Sequence, residues 1–95
     1  MAMTEAAFEK KCCKLAVFYG WFERKLEWGG RVGAPDRIFI KGGRVEFVEF
    51  KRPDGSGVLK AVQELEHERM RAAGASVHVV DSFEQFRAAL GITNG

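Results

Sequence analysis

The segment from residue 33 to residue 52, GAPDRIFIKGGRVEFVEFKR, constrains this chain more than any other. Pro35 lacks an amide donor and biases Ala34 toward extended backbone, so a strand has to begin at about Asp36. An apolar run follows over 37–41, then the Gly42-Gly43 pair, then a second apolar run over 45–51. That pattern predicts a hairpin with a tight two-residue reversal. Side chains alternate along a strand, so Glu49 and Lys51 share one face with Val45 and Phe47, their Cα atoms about 6.6 Å apart. Val48 and Phe50 occupy the other face. Apolar residues on both faces mark a strand in the middle of a sheet, where a carboxylate costs several kcal/mol unless it is paired or bound to a metal.

The hairpin brings Asp36, at the head of its first strand, alongside the end of its second. Two carboxylates and a lysine then converge. Two readings are open. Glu49 and Lys51 can form a buried ion pair, or Asp36 and Glu49 can form a divalent-metal site with Lys51 as a cationic helper. The second arrangement is the chemistry that hydrolysis of a phosphodiester requires. Lys51 is a compact charge able to hold an attacking water or a phosphate oxygen. Arg52 points to the opposite face and is placed to meet backbone phosphate. Arg37, Lys41, Arg44, Lys60 and the lysines at 10, 11 and 14 add a basic surround that suits a polyanion approaching an acidic centre.

The rest of the chain reads as alternating elements. Thr4 caps a helix running to about Tyr19 with Gly20 as its stop, and Phe8, Cys12, Leu15 and Tyr19 form its apolar stripe. On that helix Glu5 lies on the side of the stripe, with Glu9 about 40° farther around. Glu5 is therefore the acid expected to face inward, unless it serves only the helix dipole. Residues 21–28 read as a strand or as continued helix. After the PDGSG loop at 53–57, a helix spans about 58–73 with Leu59, Val62, Leu65, Met70 and Ala73 as its stripe, interrupted by Glu66 and Arg69. Gln63 borders that stripe and can orient a ligand or a water. A strand over 76–81 and a helix capped by Ser82 and Gln85, with Phe83, Phe86 and Leu90 inward, complete an αβββαβα order. The helix between the hairpin and the last strand is long enough for a crossover, which predicts parallel pairing and a mixed sheet flanked by helices.

Ninety-five residues, 46% hydrophobic and 29% charged, suit one small α/β domain over 1–95. No stretch reaches the roughly 18 apolar residues of a membrane span, and the N-terminus lacks a signal-peptide pattern. Cys12 and Cys13 are adjacent with no second pair, which excludes a disulfide framework and fits an intracellular protein with reduced thiols. His67 and His78 have no metal-ligand spacing and read as structural.

These residues together resemble the VRR-Nuc domain, the virus-type replication-repair group of the PD-(D/E)XK nuclease superfamily. The matching pieces are Glu5-Ala-Ala-Phe-Glu9, Gly33-Ala-Pro-Asp-Arg37, Val48-Glu-Phe-Lys51, Leu59-Lys-Ala-Val-Gln63 and the closing VHVVDS of 77–82, in family order across nearly the whole chain. The resemblance implies a restriction-endonuclease-like αβββαβ core and Mg2+ or Mn2+ as cofactor. It implies Asp36 and Glu49 as metal ligands with the Phe50 carbonyl, Lys51 as the catalytic lysine, Glu5 as the N-terminal acid and Gln63 as the signature glutamine. Arg37, Arg52 and Lys60 are the expected phosphate contacts. Stand-alone viral and bacterial members resemble junction-resolving enzymes, which implies a homodimeric DNA endonuclease acting on branched DNA such as four-way (Holliday) junctions in repair. Its products would be a 5′-phosphate and a 3′-hydroxyl. The competing class is a non-catalytic nucleic-acid-binding or partner-binding module that keeps the nuclease fold. Phe18, Trp21, Phe22, Trp28 and Phe39 exceed what so small a core comfortably buries and are the expected dimer anchors.

Overall fold

The computed structural model describes residues 3–93. Its elements are α1 (Glu5–Phe18), β1 (Phe22–Lys25), β2 (Arg37–Lys41), β3 (Arg44–Phe50), α2 (Ala61–Ala72), β4 (Ser76–Val80) and α3 (Phe83–Leu90). The four strands form one sheet in the order β1-β2-β3-β4. β1 and β2 are antiparallel, with Glu23 opposite Phe39. β2 and β3 form the hairpin around Gly42-Gly43, Lys41 opposite Arg44. β4 runs parallel to β3, Glu49 opposite Val79, with α2 as the crossover. The mixed, helix-flanked α/β architecture expected from the sequence is the one observed, and 21–28 contains a short strand rather than continued helix. Among the described residues no helix is long and apolar enough to cross a membrane.

Local chemistry explains most boundaries. The Thr4 hydroxyl accepts from the Ala7 amide at 3.1 Å and starts α1, one of the orphan donors every helix leaves at its N-terminus. The Ser82 hydroxyl does the same for Gln85 at 3.1 Å, while the Gln85 amide oxygen accepts from Asp81 N at 2.6 Å. β3, central in the sheet, is covered on both faces. One face packs Phe39, Val48, Phe50 and Val80 against Phe8, Cys12 and Ala16 of α1 and Phe86 and Leu90 of α3. Phe8 meets Phe50 edge-on at 5.8 Å and Phe83 at 5.1 Å, and Phe39 meets Phe86 at 5.4 Å. α2 lies over the opposite face.

Three expectations need correction. α1 buries Cys13 and Ala16 in place of Tyr19, which is exposed, while Leu15 is half-buried. α2 begins at Ala61 rather than near Val58 and is rotated: Glu66 and His67 are buried while Val62 and Leu65 are about half exposed. The apolar stripe was broken at Glu66, and the polar bonds that Gln63 makes to the sheet, described below, orient the helix instead. Finally, Trp21 and Phe39 are consumed by the monomer core, and Trp28 is half-buried. Of the five aromatics expected at an interface, Phe18 (81% exposed) and Phe22 (48%) remain on the surface.

Candidate active site

β3 ends where the charged groups begin. Glu49 is nearly inaccessible, and its Oε2 receives the Gln63 amide at 3.0 Å and the Lys51 ammonium at 3.3 Å. Gln63 Oε1 accepts from Lys51 Nζ at 3.2 Å and from Lys60 N at 3.0 Å, so this one amide caps α2 and fixes both members of the ion pair. The buried Glu49–Lys51 pair is thus present, yet it leaves Glu49 Oε1 buried with no hydrogen-bond partner. An orphaned, buried carboxylate oxygen is costly and calls for an explanation.

Asp36 supplies part of it. Its Oδ2 accepts from the Phe50 amide at 2.8 Å, which staples the head of β2 to the end of β3. Burial pushes the Asp36 carboxyl up, the Phe50 amide pulls it down, and Glu9 and Glu5 push it up again, Glu9 more strongly. Burial and then the neighbouring Asp36 charge push Glu49 up to about 7, against the opposing pull of Lys51 and Gln63. A buried carboxylate with a free oxygen and a half-buried one that repels it fit a divalent cation: bound charge would satisfy the orphan and remove the repulsion. Among the described residues no group of three or more His, Cys, Asp or Glu side chains is disposed around a metal. A ligand set here would comprise two carboxylates completed by backbone oxygen or water, which hard cations such as Mg2+ accept.

The remaining expected residues fall in three places. Glu5 is exposed, contrary to the helix-face reading, whereas Glu9 is half-buried and pairs with Arg37 Nε at 2.7 Å. Arg37 also binds Glu23 at 2.9 Å. Its guanidinium is therefore engaged by two carboxylates instead of standing ready for phosphate. The rotation that buries Cys13 and Ala16 also brings Glu9 inward. Arg52 is exposed and only loosely opposed by Asp54 at 3.6 Å, and Lys60 is exposed at the head of α2.

Two glycines support the site: Gly57, which carried no sequence signal strong enough to single it out, and Gly33, whose motif was legible but whose packing role was not. Gly57, one of two glycines in the loop at 53–57, lies against Lys51: a Cβ there would meet Lys51 Cβ at 3.0 Å and Arg52 N at 3.1 Å. The absence of a side chain lets the loop close tightly onto the lysine stem, and a Cβ would make Lys51 or the Arg52 backbone give by a few tenths of an ångström. Gly33, at φ +97°, lies where a Cβ would strike the Val62 carbonyl oxygen at 2.5 Å, and this packing seats the loop before Asp36 on α2. His67, one turn beyond Gln63, is fully buried with neither ring nitrogen hydrogen-bonded, and burial lowers its pKa.

No family model and no curated protein matches the chain. A solved structure described as a VRR_NUC domain does: it is 35% identical, with 94% of this chain and 97% of that chain covered and a TM-score of 0.81. Identity at that level over almost the full length of both chains extends the likeness beyond backbone shape, and the chain belongs to the VRR_NUC domain family.

Proposed function

We propose that this nuclease-fold domain is a Mg2+- or Mn2+-dependent DNA endonuclease in which Asp36, Glu49 and the Phe50 carbonyl hold the cation. The observation that carries the reading is the orphaned oxygen of Glu49 near the half-buried carboxylate of Asp36 and a lysine held by Gln63. A bound cation would supply Lewis-acid polarisation of the phosphate and a more acidic water. Lys51 holds the attacking water or a non-bridging oxygen, and its charge opposes the negative charge that develops on phosphorus. Water adds to phosphorus, the bond to the 3′-oxygen breaks, and that oxygen takes up a proton, leaving a 5′-phosphate and a 3′-hydroxyl. Gln63 prevents Lys51 from swinging away, and Glu9, pinned by Arg37, adds negative charge next to Asp36. Arg52 and Lys60 are the exposed cations best placed for flanking phosphates; Arg37 contributes through Glu9.

The preferred substrate in this reading is branched DNA, a four-way junction among the candidates, cut by a homodimer that presents two such centres with the same patch on each subunit. Phe18 and Phe22, with Val17 and Tyr19 beside them, form the exposed apolar end of α1 and β1 available for that contact. The non-catalytic alternative is expected to lack part of the Asp, Glu and Lys set, and Asp36, Glu49 and Lys51 are all present, which argues against it. Labelled junction, flap and linear duplex incubated with and without Mg2+ or Mn2+ test the activity. Metal-dependent cleavage is expected, fastest on a branched substrate; absence of cleavage on every substrate with either metal would overturn the reading. Light scattering tests the assembly: a mass near 10.6 kDa would exclude the dimer.

A further inference from the structure

A groove of about 570 Å3 opens between α2 and the loop preceding β2, lined by Gly30, Arg31, Val32, Val62, Leu65 and Arg69. It adjoins the proposed centre. Val62 immediately precedes Gln63, and Gly33, packed on the Val62 carbonyl, lies three residues before Asp36. The rotation of α2 makes this groove: Glu66 and His67 turn inward, and Val62 (49% exposed), Leu65 (47%) and Val32 (72%) are left lining a shared cleft. Arg31 and Arg69 flank the aliphatic floor. Both approach Glu66 Oε1 only loosely, at 3.5 and 3.7 Å, and both side chains remain more than half exposed. Two guanidiniums against one carboxylate leave the rim with one net positive charge.

An uninterrupted duplex offers such a site little, because its base faces are stacked inside and only base edges, sugars and phosphates reach the surface. A nucleotide out of the stack offers both halves of the match: a base face for the aliphatic floor and its adjoining phosphates for the arginines. The volume lies within the range of small-ligand sites. A second copy of this chain is a poorer match in charge, since the chain carries a net +2 and the groove rim is itself cationic. We infer that the groove receives an unpaired nucleotide of the DNA beside the scissile bond, so that the substrate class is DNA with an unpaired stretch rather than continuous duplex. This inference rests on the nuclease reading and narrows its branched substrates to those with an unpaired stretch, such as a flap, in place of a fully paired four-way junction.

The test separates the two. Binding is measured in EDTA by fluorescence anisotropy, with a duplex bearing a short single-stranded gap and with the same duplex uninterrupted. Leu65→Glu and the uncharged Leu65→Gln should each weaken binding to the gapped DNA roughly tenfold, a stacking-sized effect, and leave uninterrupted duplex within about twofold. Val32→Ser, on the loop and outside the helix, should act in the same direction, which keeps the test valid if a helix variant misfolds. Arg69→Gln should weaken binding and lower its salt dependence. Equal losses on both DNAs, or no loss on gapped DNA, would overturn the groove while metal-dependent cleavage by the wild type still upheld the nuclease reading. A wild-type dimer that Leu65→Gln converts to monomer would assign the groove to a second copy and would also overturn it.

Discussion

Glu46 and Glu49 are two buried carboxylates of one strand, three residues apart and on opposite faces of the sheet, and their surroundings could hardly differ more. Glu46 is saturated: Oε1 accepts from the Ser76 hydroxyl at 2.5 Å and lies 2.8 Å from His78 Nε2, and Oε2 meets Arg44 at 3.2 Å. Burial works against its charge, but the Ser76 and His78 contacts outweigh burial and hold its carboxyl below the usual range. Glu49 is left with a bare oxygen and is pushed up to about 7. Burial alone therefore does not single out an acid as a candidate; an unsatisfied oxygen under the influence of a second carboxylate does. Nor does the Ser76–His78–Glu46 grouping make a nucleophile. Serine and glutamate approach the same ring nitrogen, Nε2, at 3.0 and 2.8 Å, whereas a relay needs one on each nitrogen. Glu46 ties β3 to β4, and through Arg44, which also bonds the Leu90 and Ala89 carbonyls, to the end of α3.

The contrast is broken most severely at the centre itself. Glu49→Ala should abolish both Mn2+ binding by calorimetry and cleavage, whereas Lys51→Ala should keep metal binding and lose at least about a hundredfold in rate. Glu46→Gln should do neither. An active Lys51→Ala protein would show that the lysine is only an ion-pair partner.

Proton linkage gives the next effect. Below pH 4.5 the Glu49 carboxyl is protonated folded or unfolded; between 4.5 and about 7 only the folded chain retains the proton. The metal-free protein should therefore lose stability as pH rises through that window, with thermal melting in EDTA as the measurement. Because cation and proton compete for the carboxylate, Mn2+ affinity should climb by up to about tenfold per pH unit and level off above 7. A flat profile would place the Glu49 pKa in the ordinary range.

Amide substitution sharpens the comparison through stability. Glu46→Gln should cost about 1–3 kcal/mol in urea unfolding, since the groups it satisfies stay buried. Glu49→Gln should stabilise the metal-free protein above pH 7, where it removes a charge repelled by Asp36. Equal and same-signed effects would erase the distinction between the two sites.

The smallest expected effect lies on α1. Glu9→Gln removes the stronger of the two helix charges acting on Asp36 and leaves Arg37 with Glu23 as its remaining carboxylate partner, and should lower the cleavage rate by roughly tenfold. Exposed Glu5→Gln should change it less than about twofold. The reverse ranking would restore the inward orientation of Glu5 that helix periodicity suggested.

Much of this was legible in the linear chain. The hairpin, the convergence of Asp36 with Glu49 and Lys51, and the crossover to a parallel strand follow from proline, paired glycines and two-residue alternation. These are local rules acting over a few residues, so their outcome scarcely depends on the rest of the fold. Gln63 could be singled out from its place on α2, but not its double grip on Glu49 and Lys51. The rotations of α1 and α2 were misread because each apolar stripe is weak or broken, and the choice of buried face then falls to bonds with residues distant in sequence: Gln63 to Glu49, Glu9 to Arg37.

By itself, the sequence determined every element but the one over 21–28, their order and the acids and lysine at the end of the central strand, because backbone sterics and side-chain alternation are properties of neighbours along the chain. Only the tertiary structure decided which of two buried glutamates is satisfied, which helix acid turns inward and where an apolar groove opens. Those outcomes depend on whether a buried charge meets a partner from another element, and that meeting exists only once the elements have packed.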